Sequence, residues 1–223
     1  MIFATVTELR NVLLNVQPKS SWMEDLLGPY EVLDEKSLQQ LVDLIQSELD
    51  LVISTECVDP ALSDGSVFHR RCLQALRFLS TRYRTLPSSL VIHDVQRNGQ
   101  LPVGGGGFAQ VCLKVLRLLV EPDEQVREKT HRRFCNEAIL WKQLKHPNIL
   151  PLLGVNVKLF EPSFCLISPW MKNKDIITFL RHNPSHNRHK ALQEISAGLL
   201  YLHSRNPPIT HGDIRGVCIH NFR

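Results

Sequence analysis

The chain has 223 residues, of which 43% are apolar and 22% charged, a composition typical of a folded protein and not of a disordered one. Its net charge of +4 permits an anionic ligand such as a nucleotide but lacks the dense basic character of nucleic-acid-binding proteins. We therefore expect no nucleic-acid partner.

The cysteines and the apolar segments indicate the cellular compartment of the protein. The six cysteines contain no Cys-x-x-Cys pair, so neither a zinc site nor a secreted disulfide framework is indicated. The first residues lack the basic and apolar regions of a signal peptide, and no stretch approaches the ~20 apolar residues that a membrane helix needs. We expect a soluble, cytoplasmic protein.

Residues 1–86 predict three helices. Their apolar positions recur at helical spacing in three groups: Leu9, Val12, Leu13 and Val16; Leu38, Leu41, Val42, Ile45, Leu49 and Val52; and Phe68, Cys72, Leu76, Leu79 and Tyr83. Ser37 and Gln40 predict a capping box for the second helix. The third, over residues 66–84, carries arginines on its other side, which fit either a solvated surface or an anion or membrane contact: Arg70, Arg71, Arg77, Arg82 and Arg84.

A domain boundary is predicted at Pro87, where the helical pattern stops. Residues 1–86 then form an N-terminal helical region of unknown role. The remainder, 87–223, predicts an α+β order of strands and helices. The predicted strands cover residues 111–120, 149–159 and 164–171, and the predicted helices cover 123–144, 175–182 and 185–204. The last helix is expected to bury Leu192, Ile195, Leu199 and Leu202.

The run Gly104–Gly107 precedes the strand that contains Lys114. Successive glycines let backbone N–H groups approach phosphate oxygens, although such a run also forms plain flexible loops. A lysine in an apolar strand needs a partner, and Glu137 on the following helix is the candidate. Two unrelated surface charges are the alternative.

The order of the Gly-rich loop, the lysine strand, the helix with Glu137, "LKHPNIL" over residues 144–150 and His211-Gly212-Asp213 resembles the eukaryotic protein kinase family. The residues of these motifs are especially similar to those of tyrosine-kinase-like serine/threonine kinases of the kind abundant in fungi. The resemblance implies a kinase-like small lobe, with an antiparallel sheet and an αC-type helix, and only the first helices of the large lobe. It also implies ATP with Mg²⁺ as cofactors and an unknown protein as substrate.

The resemblance assigns nucleotide-binding roles to particular positions. Lys114 contacts the α- and β-phosphates of ATP and is held by Glu137. The nucleotide is covered by four residues of the loop and strand: Gly104, Gly106, Ala109 and Val111. Ser168 takes the gatekeeper position, and the hinge binds adenine through the carbonyl of Pro169 and the N–H of Met171.

The catalytic loop follows the same resemblance. Asp213 corresponds to the aspartate that accepts the substrate hydroxyl proton, and Arg215 stands near the γ-phosphate, where the family usually has lysine. His211 braces the loop. Gly212 replaces the common arginine, which argues against control through an arginine-bound phosphate.

Two departures from the family lead us to expect little or no catalysis. Val111 and Lys114 are three residues apart, where the family has an entire intervening strand, so either the cover over the phosphates is lost or Lys114 is displaced. Cys218 stands where a magnesium-binding asparagine is expected, so no metal ligand is assigned. The absence of Asp-Phe-Gly before Arg223 predicts a truncated domain with exposed apolar faces. A non-catalytic, kinase-like interaction protein is the alternative.

Overall fold

The computed structural model describes residues 6–15, 34–55, 63–95, 111–116, 123–161, 163–171, 175–212 and 214. These residues form an α+β fold, as predicted, with a small three-stranded sheet. The elements in chain order are α1 (Val6–Asn15), α2 (Glu35–Thr55), α3 (Ser63–Tyr83), a 3-10 turn (Ser88–Leu90), β1 (Val111–Leu116), α4 (Glu124–Lys142), β2 (Gly154–Phe160), β3 (Ser163–Pro169), α5 (Ile176–His182) and α6 (Arg188–His203).

The first three helices pack through the apolar faces that the sequence predicted. Helix α3 contacts both α1 and α2, and the predicted core positions with described side chains are mostly buried: Leu9, Leu13, Leu38, Leu41, Val42, Ile45, Leu49, Phe68, Cys72, Leu76 and Leu79. Such burial supplies most of the stability of helices in proteins. Val16 lies outside the described residues.

Helix α2 begins one turn earlier than the predicted capping box. Its cap is Asp34, whose carboxylate accepts hydrogen bonds from the backbone N–H of Ser37 at 2.9 Å and from the Ser37 hydroxyl at 2.6 Å. These bonds lower the pKa of the Asp34 carboxyl. The Ser37–Gln40 box was therefore wrong, because Ser37 serves as a donor to the cap and not as the cap itself.

The sheet is antiparallel, with strand order β1-β3-β2. Strand β1 pairs with β3 without interruption, from Val111 opposite Pro169 to Leu116 opposite Phe164. The register between β2 and β3 shifts after Asn156. There the Asn156 side chain accepts hydrogen bonds from the backbone N–H groups of Lys158 and Leu159.

Two sequence predictions in this region need correction. Strand β2 begins at Gly154 and not at residue 149, because Pro151 interrupts the apolar run and Ile149 N–H closes a turn onto His146. In α6 the buried positions are Ala191, Gly198 and Leu202, while Leu192 is 62% exposed.

Among the described residues, no helix is sufficiently long and apolar to cross a bilayer.

Helix α4 lies between the N-terminal helices and the sheet. It contacts α3 on one side and β2 on the other. Its buried residues Phe134, Cys135, Ala138 and Ile139 join one apolar core with residues of α1, α2 and α3 and with Leu166 of β3. The position of α4 is therefore set from both sides, and this helix carries Glu137.

Candidate functional site

The pair formed by Lys114 and Glu137 is the centre of the candidate site. Lys114 extends from β1, and its Nζ lies 2.7 Å from Oε1 of Glu137 on α4. The side chains are 58% and 40% exposed, so both charges remain in contact with solvent. An exposed pair of this kind contributes at most about 1 kcal/mol to stability. The exposed ammonium can still donate a hydrogen bond to a further anionic partner.

Helix α4 presents Glu137 to the sheet because of its start and its two faces. Asp123 caps the helix by accepting a hydrogen bond from the backbone N–H of Gln125 at 2.8 Å. Phe134, Glu137 and Trp141 recur at helical spacing and share one side. Phe134 stacks on Phe164 of β3, so this side of α4 packs against the sheet.

The strand register decides which residues share a face with Lys114. Neighbouring residues of a strand point to opposite faces, and directly paired residues point to the same face. Cys112 and its partner Ser168 therefore lie on the Lys114 face, while Val111 lies on the opposite one. Val111 and Lys114 are thus not brought together, and the predicted contact of Val111 with a nucleotide stays a prediction.

The same register resolves one alternative left open by the sequence. Val111 and Lys114 belong to a single uninterrupted strand, paired with Pro169 and Leu166 respectively, so no hairpin separates them. Lys114 nevertheless reaches Glu137. The short spacing has not displaced the lysine from its acidic partner.

The predicted hinge follows directly from the end of β3. Ser168 is buried, Pro169 is the last strand residue, and Trp170 and Met171 continue half-buried beyond it. Because proline lacks an N–H but keeps its carbonyl, this segment can offer the carbonyl of Pro169 and the N–H of Met171 to a ligand. Their use in binding adenine stays a prediction.

The segment after α4 connects the sheet region to α6. The Trp141 indole donates a hydrogen bond to the Leu150 carbonyl at 2.6 Å. The backbone N–H of Lys145 donates to the Tyr201 hydroxyl at 2.9 Å, and the His146 ring stacks on Tyr201 with centroids 4.9 Å apart. These contacts anchor residues 144–150 to the helix that precedes the predicted catalytic loop.

Part of that loop is described. His211 is exposed. Gly212 has a φ of 76°, and no atom lies within 4 Å of the place where a Cβ would stand. This left-handed conformation suits glycine and would strain an arginine. The glycine in place of the common arginine therefore matches the local backbone.

The remaining predicted site residues cannot be placed. Gly104, Gly106, Ala109, Asp213 and Arg215 lie outside the described residues. The structure thus brings together Lys114 and Glu137, places Pro169 and Met171 at the end of β3, and puts Val111 on the other face of β1.

The cysteines divide into buried and accessible thiols. Burial raises the pKa of Cys72 and Cys135 to about 12 and also raises the pKa of Cys165. Cys112 is exposed on the Lys114 face.

Among the residues that the structure covers, no group of three His, Cys, Asp or Glu side chains could hold a metal ion.

Sequence reasoning missed the residues that hold α4 in place. Nε of Arg77, on α3, donates to Oδ1 of Asn136 at 2.9 Å. Nε2 of Gln143 donates to Oε1 of Gln46, on α2, at 3.2 Å, and both glutamines are buried. Gln46 interrupts the apolar face of α2 beside Ile45, which is a local signal of a buried polar contact. The identity of its partner, 97 residues away, has no such signal.

Comparison with known proteins gives a consistent result. The family model for protein tyrosine and serine/threonine kinases matches residues 98–219. Over 145 residues, the chain is 30% identical to mitogen-activated protein kinase kinase kinase 10 of Homo sapiens. This match covers 60% of this chain and 15% of that protein. Over 224 residues, it is 33% identical to dual specificity protein kinase zakA of Dictyostelium discoideum. This match covers 87% of this chain and 28% of that protein.

A plant protein gives a similar match. Over 129 residues, the chain is 27% identical to serine/threonine-protein kinase CTR1 of Arabidopsis thaliana, with coverage of 51% of this chain and 15% of that protein. The chain thus spans less than a third of the length of each of these three relatives. No solved structure matches it significantly.

Proposed function

The chain belongs to the protein tyrosine and serine/threonine kinase family, and we propose that it supplies the ATP-binding elements of a kinase that phosphorylates serine or threonine on proteins. The observation that carries this proposal is the ion pair between Lys114 and Glu137. A lysine held by a carboxylate on the following helix is the arrangement with which kinases bind the phosphates of ATP.

The proposed roles follow the side-chain chemistry. The Lys114 ammonium, oriented by Glu137, donates to phosphate oxygens. The carbonyl of Pro169 and the N–H of Met171 bind the adenine edge, and the backbone of Gly104, Gly106 and Ala109 approaches the phosphates. Asp213 orients the substrate hydroxyl and accepts its proton, while Arg215 neutralises charge at the γ-phosphate.

Magnesium fits this residue set poorly. When bound, the ion would neutralise phosphate charge during transfer. The position that should provide an oxygen ligand is Cys218, and a thiol is a poor ligand for a hard cation. We therefore assign no residue of this chain to Mg²⁺ and propose that the 223-residue chain transfers phosphate slowly or not at all.

The proposed organisation is a helical region over residues 1–86 followed by the kinase portion over 87–223. A cytoplasmic location is part of the proposal and is supported by the free thiols Cys72, Cys112, Cys135 and Cys165.

A non-catalytic role in binding a protein partner is the second candidate. It is favoured by the core that α4 shares with the N-terminal helices, because this core makes the helical region a structural part of the kinase-like unit. In this case the unit would present a binding surface without phosphate transfer.

Calorimetric titration with ATP tests the proposal. We expect weak binding that falls about tenfold or more in Lys114→Ala, because the lysine provides a charge-assisted contact to phosphate. Lys158→Ala, which removes an exposed lysine from β2, is the matched control and should bind as the parent does. Absence of ATP binding in the folded parent chain would reject the nucleotide-binding proposal and favour the interaction role.

A further inference from the structure

Helix α4 is held by two polar contacts from the N-terminal helices. Arg77 of α3 donates to Asn136 at 2.9 Å, and Gln143, at the end of α4, donates to Gln46 of α2 at 3.2 Å. Asn136 and Gln143 are seven residues apart, which is about two helical turns or roughly 10 Å along the axis. They therefore lie on the same face of α4, and each bonds to a different N-terminal helix.

This face is distinct from the one that bears Glu137. Adjacent residues of a helix are about 100° apart around its axis, so Asn136 can face α3 while Glu137 faces the sheet. Glu137 meets Lys114 of β1 at 2.7 Å, and Asn136 meets Arg77 of α3. Two neighbouring residues thus link α4 to two different elements, β1 and α3.

The ion pair is too weak to fix the position of α4 by itself. The Lys114–Glu137 pair is about half exposed, and exposed ion pairs contribute little to stability. The opposite side is a buried apolar core, in which Leu76, Leu79, Cys135 and Ile139 are all inaccessible to solvent. The packing against α3 therefore constrains α4 more strongly than the ion pair does, and the Arg77–Asn136 bond belongs to this packing, next to Glu137.

We infer that Arg77 is a positioning residue for the nucleotide site: through Asn136 it holds α4 in the rotation that brings Glu137 to Lys114. This inference rests on the proposed function for its biological meaning, since the ion pair matters to ATP binding only if ATP binds there. The geometric part, the coupling of Arg77 to the ion pair, can be measured without a nucleotide.

The measurement is the rate at which acetic anhydride acetylates Lys114, quantified by mass spectrometry relative to exposed Lys158 in the same molecule. The anhydride reacts only with the neutral amine, so a lysine whose charged form is paired with a carboxylate reacts more slowly than a free lysine. Glu137→Gln removes the carboxylate and gives the rate of an unpaired Lys114. We expect Arg77→Gln to raise the relative rate about two- to fivefold, the range that an exposed ion pair allows, and not above the Glu137→Gln rate.

Two further variants separate positioning from general destabilisation. Arg77→Lys keeps a cationic donor and should return the rate toward that of the parent. Arg82→Gln removes an exposed arginine from the same helix and should leave the rate unchanged. If Arg77→Gln does not fold, Asn136→Leu removes the acceptor while keeping the branching and the number of side-chain heavy atoms, and it should raise the rate in the same way.

The outcomes are distinct. An unchanged Lys114 rate in a folded Arg77→Gln or Asn136→Leu protein would overturn the inference. Unfolding of both variants would also overturn it, since the contact would then support the entire fold and not the placement of Glu137. A raised Lys114 rate in Arg77→Gln, together with a parent chain that binds no ATP, would support the positioning role and reject the proposed nucleotide function, so the two failures are distinguishable.

Discussion

The ring of Phe134 on α4 stacks on the ring of Phe164 on β3, with centroids 5.0 Å apart and planes inclined by 17°. Phe134 is buried, and Phe164 packs partly buried against the same core. Because the pair lies one helical turn from Glu137, it forms the apolar seat on which the ion-pair face of α4 rests.

We predict that Phe134→Ala lowers the free energy of unfolding by about 3–5 kcal/mol, the usual cost of removing a buried aromatic ring from a core. Chemical denaturation followed by tryptophan fluorescence measures this change. Phe134→Leu keeps most of the volume and should cost less than about 2 kcal/mol. Equal losses in the two variants would show that the cavity is not the cause.

Stability should also depend on the protonation of His131. Its ring meets Phe164 edge-on at 5.0 Å, and burial, together with the positive charge of Arg84, lowers the pKa of its imidazole. The unfolded chain, with a histidine pKa of about 6.5, then binds a proton more readily than the folded one. The free energy of unfolding should therefore fall as the pH drops below about 6.5.

Urea unfolding at about pH 7.5 and about pH 5.5 tests this dependence. His131→Phe preserves the aromatic contact without a titrating group and should reduce the loss of stability between the two pH values. His189→Gln, at an exposed histidine of α6, should leave the loss unchanged. A parent-like pH dependence in His131→Phe would contradict the assignment.

The success of the sequence predictions depends on whether the information is local. Lys114 and Glu137 could be identified as a pair because each stands in a short motif and Glu137 lies on the next described helix after β1. The buried face of α6 could be predicted only in part: Leu202 is buried as expected, but Leu192 is exposed, and the apolar periodicity did not select the small buried residues Ala191 and Gly198.

Long-range polar contacts were equally inaccessible to sequence reasoning. Arg77 and Asn136 are 59 residues apart, and the arginine belongs to a row that fits an exposed basic surface. In the structure Arg71 also bonds inward, to the carbonyls of Leu13 and Leu14 at the end of α1. Two of the five arginines thus have partners within the protein, which a helical pattern alone cannot reveal.

The exposed leucines of α6 predict self-association. Leu192 and Leu200 are 62% and 70% exposed and lie about two turns apart on the helix. Apolar side chains exposed in this way promote association. The double variant Leu192→Lys/Leu200→Lys should scatter less light at equal concentration, while its stability stays within about 0.5 kcal/mol of the parent per substitution.

Leu202→Lys is the matched control for that experiment. Leu202 is buried on the same helix, so a lysine there places a charge in the core and should destabilise the protein and increase aggregation. Unchanged scattering by the double variant would show that these leucines do not mediate association.

The accessible thiol of Cys112 provides a test of which sheet face binds the nucleotide. Cys72 and Cys135 have a pKa of about 12 because they are buried, so at neutral pH they carry on the order of a thousandfold less thiolate than an ordinary thiol. Cys112 is exposed and lies two residues from Lys114 on the same face of β1. Iodoacetamide should therefore alkylate Cys112 well before Cys72 or Cys135, as peptide mass spectrometry can show.

The nucleotide arm of this experiment follows from the strand register. If ATP occupies the Lys114 face, saturating ATP should slow the alkylation of Cys112 about tenfold, because the ligand covers the thiol. Lys114→Ala should lose most of this protection, whereas Lys158→Ala should retain it. Protection that persists in Lys114→Ala would place the nucleotide away from the ion pair. Alkylation unaffected by ATP in a chain that calorimetry shows to bind ATP would place the nucleotide on the opposite face, the face of Val111.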